Sequence, residues 1–200
     1  MVRSWWSRGF VVLAAGAVVA TVAPASSWAA STVPPATYTA SACSAVATYA
    51  GEVSTANDAL TAAVDEYQAQ PSASTAGQLR AETVAFLQAA RAGASDAADS
   101  LRDAGVPGVS GGSQFARAAI AEVESVAKAL GPLVAQAKKI DTSSPTKFAR
   151  SFQQVGKAVQ AASNAAKKHA RADPAFKHSD PALQPFVTYM TTDAKTCPSS

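Results

Sequence analysis

Residues 42–70 read ACSAVATYAGEVSTANDALTAAVDEYQAQ. Val46, Tyr49, Val53, Ala56, Leu60, Val64 and Tyr67 recur at intervals of three and four, which places them along one stripe of an α-helix. The alternating pattern of a half-buried strand is missing. Alanine makes up about a quarter of the chain, and it favours helix because it loses no side-chain entropy there. Pro71 and Ser72 close the segment.

Three more segments share this spacing. In the second, about 75–104, Leu79, Thr83, Phe86, Ala90, Ala94, Ala97 and Leu101 align, with Ser74 placed to cap the start. The glycine-rich loop 105–112 ends it. In the third, about 113–140, Phe115, Ala119, Val123, Val126, Leu130, Leu133, Ala137 and Ile140 share a face. Gly131-Pro132 falls inside this segment and predicts a kink or a break. The fourth opens with Ser144 as cap and Pro145 in the first helical position. Phe148, Phe152, Val155, Val159, Ala162 and Ala166 form its stripe, and cations crowd its last turn, where the helix dipole favours them.

At about 1.5 Å rise per residue, each segment spans roughly 40–45 Å. Matched lengths and short connections predict an all-α fold, a four-helix up-down bundle with closely approaching, alanine-lined helices. The tail after residue 170 holds one more apolar stripe, Leu183, Phe186, Val187 and Met190, a short fifth helix that either Asp180-Pro181 starts or Pro185 delays to Gln184.

The chain opens with features of an export signal. Arg3 and Arg8 precede an apolar run from Gly9 to Ala23, and the small-residue stretch PASSWAA follows at 24–30. Ser27 and Ala29 suit a cut after Ala29. The apolar run of 15 residues is short of the roughly 20 that a spanning helix needs. The arginines are not adjacent, and Cys43 lies too far on for a lipoprotein signal. The expected organisation is a signal peptide at 1–29, a solvated Pro/Ser/Thr linker at 30–42, and one helical-bundle domain at 43–197, with no spanning segment after cleavage.

Two cysteines, Cys43 and Cys197, sit near the ends of this domain. In an exported chain they form one intramolecular disulfide, one intermolecular bridge, or remain free thiols. In an up-down bundle the start of the first helix and the end of the fourth share an end. An intramolecular bond there holds the tail against the bundle.

Candidate chemistry is sparse. Gly108-Val109-Ser110-Gly111-Gly112 matches the G-x-S-x-G nucleophile elbow, but that motif needs a strand before the serine, and a helix precedes it here. Neither His169 nor His178 has an acidic residue in an obvious supporting arrangement. The Glu-x-x-His pattern of di-iron bundles is missing, because Ala166 and Ala175 stand three residues before the histidines. The close carboxylates Asp65 with Glu66, Asp96 with Asp99, and Glu122 with Glu124 read as solvated helix faces. No catalytic residue, metal site or cofactor is expected, so the chain reads as a non-enzyme.

Charge is unevenly spread. Residues 30–105 carry 8 acidic and 3 basic side chains, and residues 106–200 carry 6 acidic and 12 basic ones. Without the signal, 15 basic residues stand against 14 acidic ones, too balanced for a nucleic-acid binder. The densest basic stretch holds Lys167, Lys168, His169, Arg171 and Lys177. It reads either as one side of an internal pairing between the halves or as a patch for an anionic partner.

Together, the signal, the Pro/Ser/Thr linker, the cysteine opening the first helix, the alanine-rich bundle and the terminal cysteine resemble the small secreted, Ala-rich helical proteins of actinobacteria. Most of those have no assigned activity, so the resemblance carries over no functional residue. The expected role is that of a secreted or envelope-located interaction or structural module. The alternative is a carrier that holds a small apolar ligand such as a lipid or haem, in a cavity opened by Gly131-Pro132 and by small side chains opposite Phe86 and Phe152.

Overall fold

The structure, a computed structural model, describes residues 31–192 and Cys197; the expected signal peptide lies outside the described residues. The order is β1 (Thr32–Val33), α1 (Pro35–Ala69), α2 (Ala73–Asp103), β2 (Val106–Pro107), α3 (Gly112–Lys138), α4 (Pro145–Ala172), α5 (Pro174–Lys177), a 3-10 turn (Pro181–Leu183) and α6 (Gln184–Thr191). The all-α class is as expected, as are the four long helices.

The N-terminal boundary differs from the expected one. Residues 30–42 are not a linker throughout: α1 begins at Pro35, and Tyr38, Thr39 and Ala42 are buried. Proline lacks an N–H, but the first turn of a helix has no acceptor for one, so Pro35 starts the helix at no cost. Upstream of it, Thr32 and Val33 pair in parallel with Val106 and Pro107. The Val106 N–H donates to the Ser31 carbonyl at 3.0 Å, and the Gly108 N–H donates to that of Val33 at 2.8 Å. The loop between α2 and α3 is therefore fastened to the start of the fold. Gly105 is needed there: its φ is +83°, and a Cβ would lie 2.5 Å from the Ser31 carbonyl oxygen.

Capping explains the other boundaries. Ser72, not Ser74, caps α2. Its hydroxyl accepts from the Thr75 N–H while the Thr75 hydroxyl accepts from the Ser72 N–H, both at 3.1 Å. This reciprocal pair needs a partner three residues on, which Ser72 has in Thr75. Ser144 caps α4 as expected, accepting from the Lys147 N–H at 3.3 Å, with Pro145 behind it. The break expected at Pro132 is absent, and α3 runs through it. Both Pro132 and Lys128 are exposed, so water can serve the Lys128 carbonyl that loses its donor.

Backbone approach is uneven. α1 along α2 and α2 along α3 come close at many positions, α4 along α3 at fewer. Side-chain size accounts for this. Ala90, Ala94, Ala97, Ala98, Ala116 and Ala119 let α2 and α3 approach, while α4 presents Phe148, Phe152, Val155 and Val159. Phe148 stacks on Phe152 with ring centroids 5.4 Å apart and meets Tyr67 of α1 at a tilt of 50°, 4.7 Å away.

The tail is more elaborate than a single short helix. Asp173-Pro174 stops α4 and starts α5: the Asp173 carboxylate accepts from the Ala175 N–H at 2.8 Å. Asp180-Pro181 repeats the device for the 3-10 turn, at 2.8 Å to the Ala182 N–H. α6 then starts at Gln184, as Pro185 implied, and packs on both α1 and α4. Phe115 of α3 gathers Phe176, Tyr38 and Phe186 with centroids 5.5, 6.0 and 6.2 Å away. The Thr39 hydroxyl donates to the Ala182 carbonyl at 2.8 Å. Cys43 and Cys197 form the intramolecular disulfide, with Cα atoms 5.7 Å apart.

Candidate interaction surface

Helix composition decides where charge lies. α1 carries Glu52, Asp58, Asp65 and Glu66 and no lysine or arginine. α4 carries Lys147, Arg150, Lys157, Lys167, Lys168 and Arg171 and no acid. Arg102 of α2 pairs with Asp99 one turn away and with Glu124 of α3. Lys147 meets Asp141 at 3.8 Å across the turn between α3 and α4. The Asp141 carboxyl is held below the usual range, chiefly because its side chain accepts hydrogen bonds from Ser143 and also because Lys147 is near.

The five residues of the basic stretch fall in the last turns of α4 and in α5. Lys168, His169, Arg171 and Lys177 are exposed and Lys167 is half-buried. Arg171 and His169 also hold the fold. The Arg171 Nε–H donates to the Thr191 carbonyl at 2.6 Å, fixing the end of α6 to the end of α4. His169 Nδ1 is hydrogen-bonded to Glu122 Oε1.

That last contact corrects the reading of both residues. Glu122 does not lie on a solvated face with Glu124. Its side chain is 1% exposed, on the core side of α3, while the His169 side chain is 51% exposed. His169 therefore does have a supporting carboxylate, from a different helix. Burial pushes the Glu122 carboxyl above its ordinary range; the hydrogen bond and charge of His169 oppose this, and Asp173 adds to it. Glu122 Oε2 is buried with no hydrogen-bond partner. A signal existed in the sequence: Glu122 stands seven residues after Phe115 and four before Val126, inside the apolar stripe.

The remaining candidates stay apart from this pair. Ser110 lies exposed in the turn before Gly111, whose left-handed backbone, φ +76°, opens α3. The strand before that serine, β2, is two residues long. His178 is exposed at the end of α5. Among the described residues, no three His, Cys, Asp or Glu side chains converge on a metal-sized site. A cleft does open beside Phe86 and Phe152, with Leu60, Val155 and Val159 on its walls, and its volume is about 10 Å³, room for one water molecule. Among the described residues no helix is long and apolar enough to cross a membrane. No family model, curated protein or solved structure matches this chain.

Proposed function

We propose that this chain is an exported, non-catalytic interaction module of the cell envelope, related in plan to the small secreted helical proteins it resembles. The basic end of α4, with Lys177 of α5, is the surface that meets an anionic partner. The observation that carries this reading is the segregation of charge: six cations and no acid on α4, against four acids and no lysine or arginine on α1. The disulfide fits an oxidising compartment.

An up-down arrangement of the four long helices belongs to the same reading. Tyr38 beside Phe115 and Tyr67 beside Phe148 support it, because they level α1 with α3 at one end and with the start of α4 at the other. In that arrangement the disulfide and the basic turns of α4 share an end.

Binding to phosphatidylglycerol vesicles tests the surface. Each lysine or arginine near an anionic membrane contributes about 1 kcal/mol, so Lys167→Gln, Lys168→Gln and Arg171→Gln together weaken binding about 100-fold. Added salt weakens wild-type binding. Equal binding by wild type and the triple variant would overturn the assignment of this surface.

A further inference from the structure

The Glu122–His169 contact has features that an anion-binding surface does not require. Glu122 projects from the middle of α3 into the core, and His169 of α4 meets it through Oε1. The other carboxyl oxygen, Oε2, is buried with no hydrogen-bond partner among the described residues. The contact bridges α3 and α4, which approach each other closely at fewer positions than α1 and α2 or α2 and α3 do. A buried carboxyl with one orphaned oxygen at such a seam is sensitive to gain or loss of a single proton.

We infer that the C-terminal end of α4 is held on α3 by a proton-controlled latch, closed while the Glu122 carboxyl carries a proton and loosened when it is ionised. In the protonated state the carboxyl still meets His169 through Oε1 and buries no charge of its own. In the ionised state one oxygen accepts from His169, while Oε2 holds negative charge in a dry site without a donor. Opening the end of α4 lets water reach that oxygen.

The groups around the latch are few. His169 and, at the C-terminal cap of α4, Asp173 act on Glu122 among the described residues. The buried Tyr38 and Tyr49 of α1 and Tyr189 of α6 are held neutral by burial. Arg102 of α2 is taken by Asp99 and Glu124. Lys177 of α5 is exposed, as are Lys168 and Arg171 beside His169. Burial, the leading influence, favours the protonated carboxyl. The folded state therefore binds this proton more tightly than the unfolded chain does. The stability so gained is fully present below the unfolded value near 4.5 and is lost as pH rises through the higher folded value.

Amide hydrogen exchange on the full disulfide-bonded protein reads the latch directly. Protection of the Ala166–Ala170 amides, measured against those of the α1–α2 seam as internal reference, is expected to fall as pH is raised from below about 4.5 through the higher folded value. The fall reaches at most about tenfold per pH unit, the limit for one proton. Glu122→Gln, which keeps the shape and a hydrogen bond without the charge, is expected to flatten the profile. His169→Ala, at a half-exposed helix position, removes the sole donor and is expected to lower protection at the upper end of the range more than at the lower end. A wild-type ratio independent of pH, or superimposable profiles for wild type and Glu122→Gln, would overturn the latch. Should Glu122→Gln fail to fold, a His169→Ala profile lying on that of wild type does the same. This readout needs no anionic partner, so it stands or falls apart from the vesicle experiment.

Discussion

Glu122 shows how one side chain can escape a reading by pattern. A carboxylate next to Val123 and two residues before Glu124 looks like part of a solvated face. Helical geometry puts it instead between Ala119 and Val126, and its partner lies 47 residues on. Spacing could mark the position as inward-facing, but only the packing of α4 on α3 supplies His169. The energetic consequence is specific. Glu122→Gln is expected to leave stability unchanged in acid and to raise it toward neutral pH, because the amide cannot take on charge in the buried site; denaturant unfolding at several pH values measures it. Tyr38 offers a second residue-level check. Its hydroxyl is buried without a partner, so Tyr38→Phe is expected to be neutral or to stabilise by about 1 kcal/mol. A clear loss of stability would mean that the hydroxyl is bonded after all.

At the level of elements, apolar stripes located all four long helices because each buries one face at a 3.6-residue period. Their ends were harder to read, for local reasons. Pro34-Pro35 looks like a linker until Tyr38, three residues on, is seen packed on Phe115. Ser72 and Ser74 both look like caps, and only the hydroxyl of Thr75 chooses between them. Ser72→Ala is therefore expected to cost about 1 kcal/mol, and Ser74→Ala close to nothing, in thermal or denaturant unfolding. The β1–β2 pairing was not legible, since two-residue strands carry no period. Its weak point is Gly105: Gly105→Ala places a methyl against the Ser31 carbonyl at positive φ. A loss of at least about 1 kcal/mol is expected in the same assay.

Across the whole molecule, the alanine-rich α1, α2 and α3 approach closely along their lengths, α4 meets α3 at fewer positions and buries its phenylalanines, and α6 touches both α1 and α4. The disulfide ties the tail that carries α6 to the first helix, across 154 positions of sequence. Chain entropy alone gives a loop of that size about 5 kcal/mol of stabilisation, and removal of the bond by Cys43→Ser with Cys197→Ser is expected to cost 2 to 5 kcal/mol, as an order of magnitude. The charge asymmetry was plain in the sequence. Its meaning was not, because neighbouring acidic and basic helices and a one-sided basic surface have the same composition. Export of the chain, with Cys43 and Cys197 joined, is checked by peptide mapping, without reductant, of the protein recovered outside an expressing bacterium. A mature N-terminus at Ala30 and a single cross-linked peptide pair containing Cys43 and Cys197 are expected. A chain still starting at Met1 would overturn the first, and free thiols at these two positions the second.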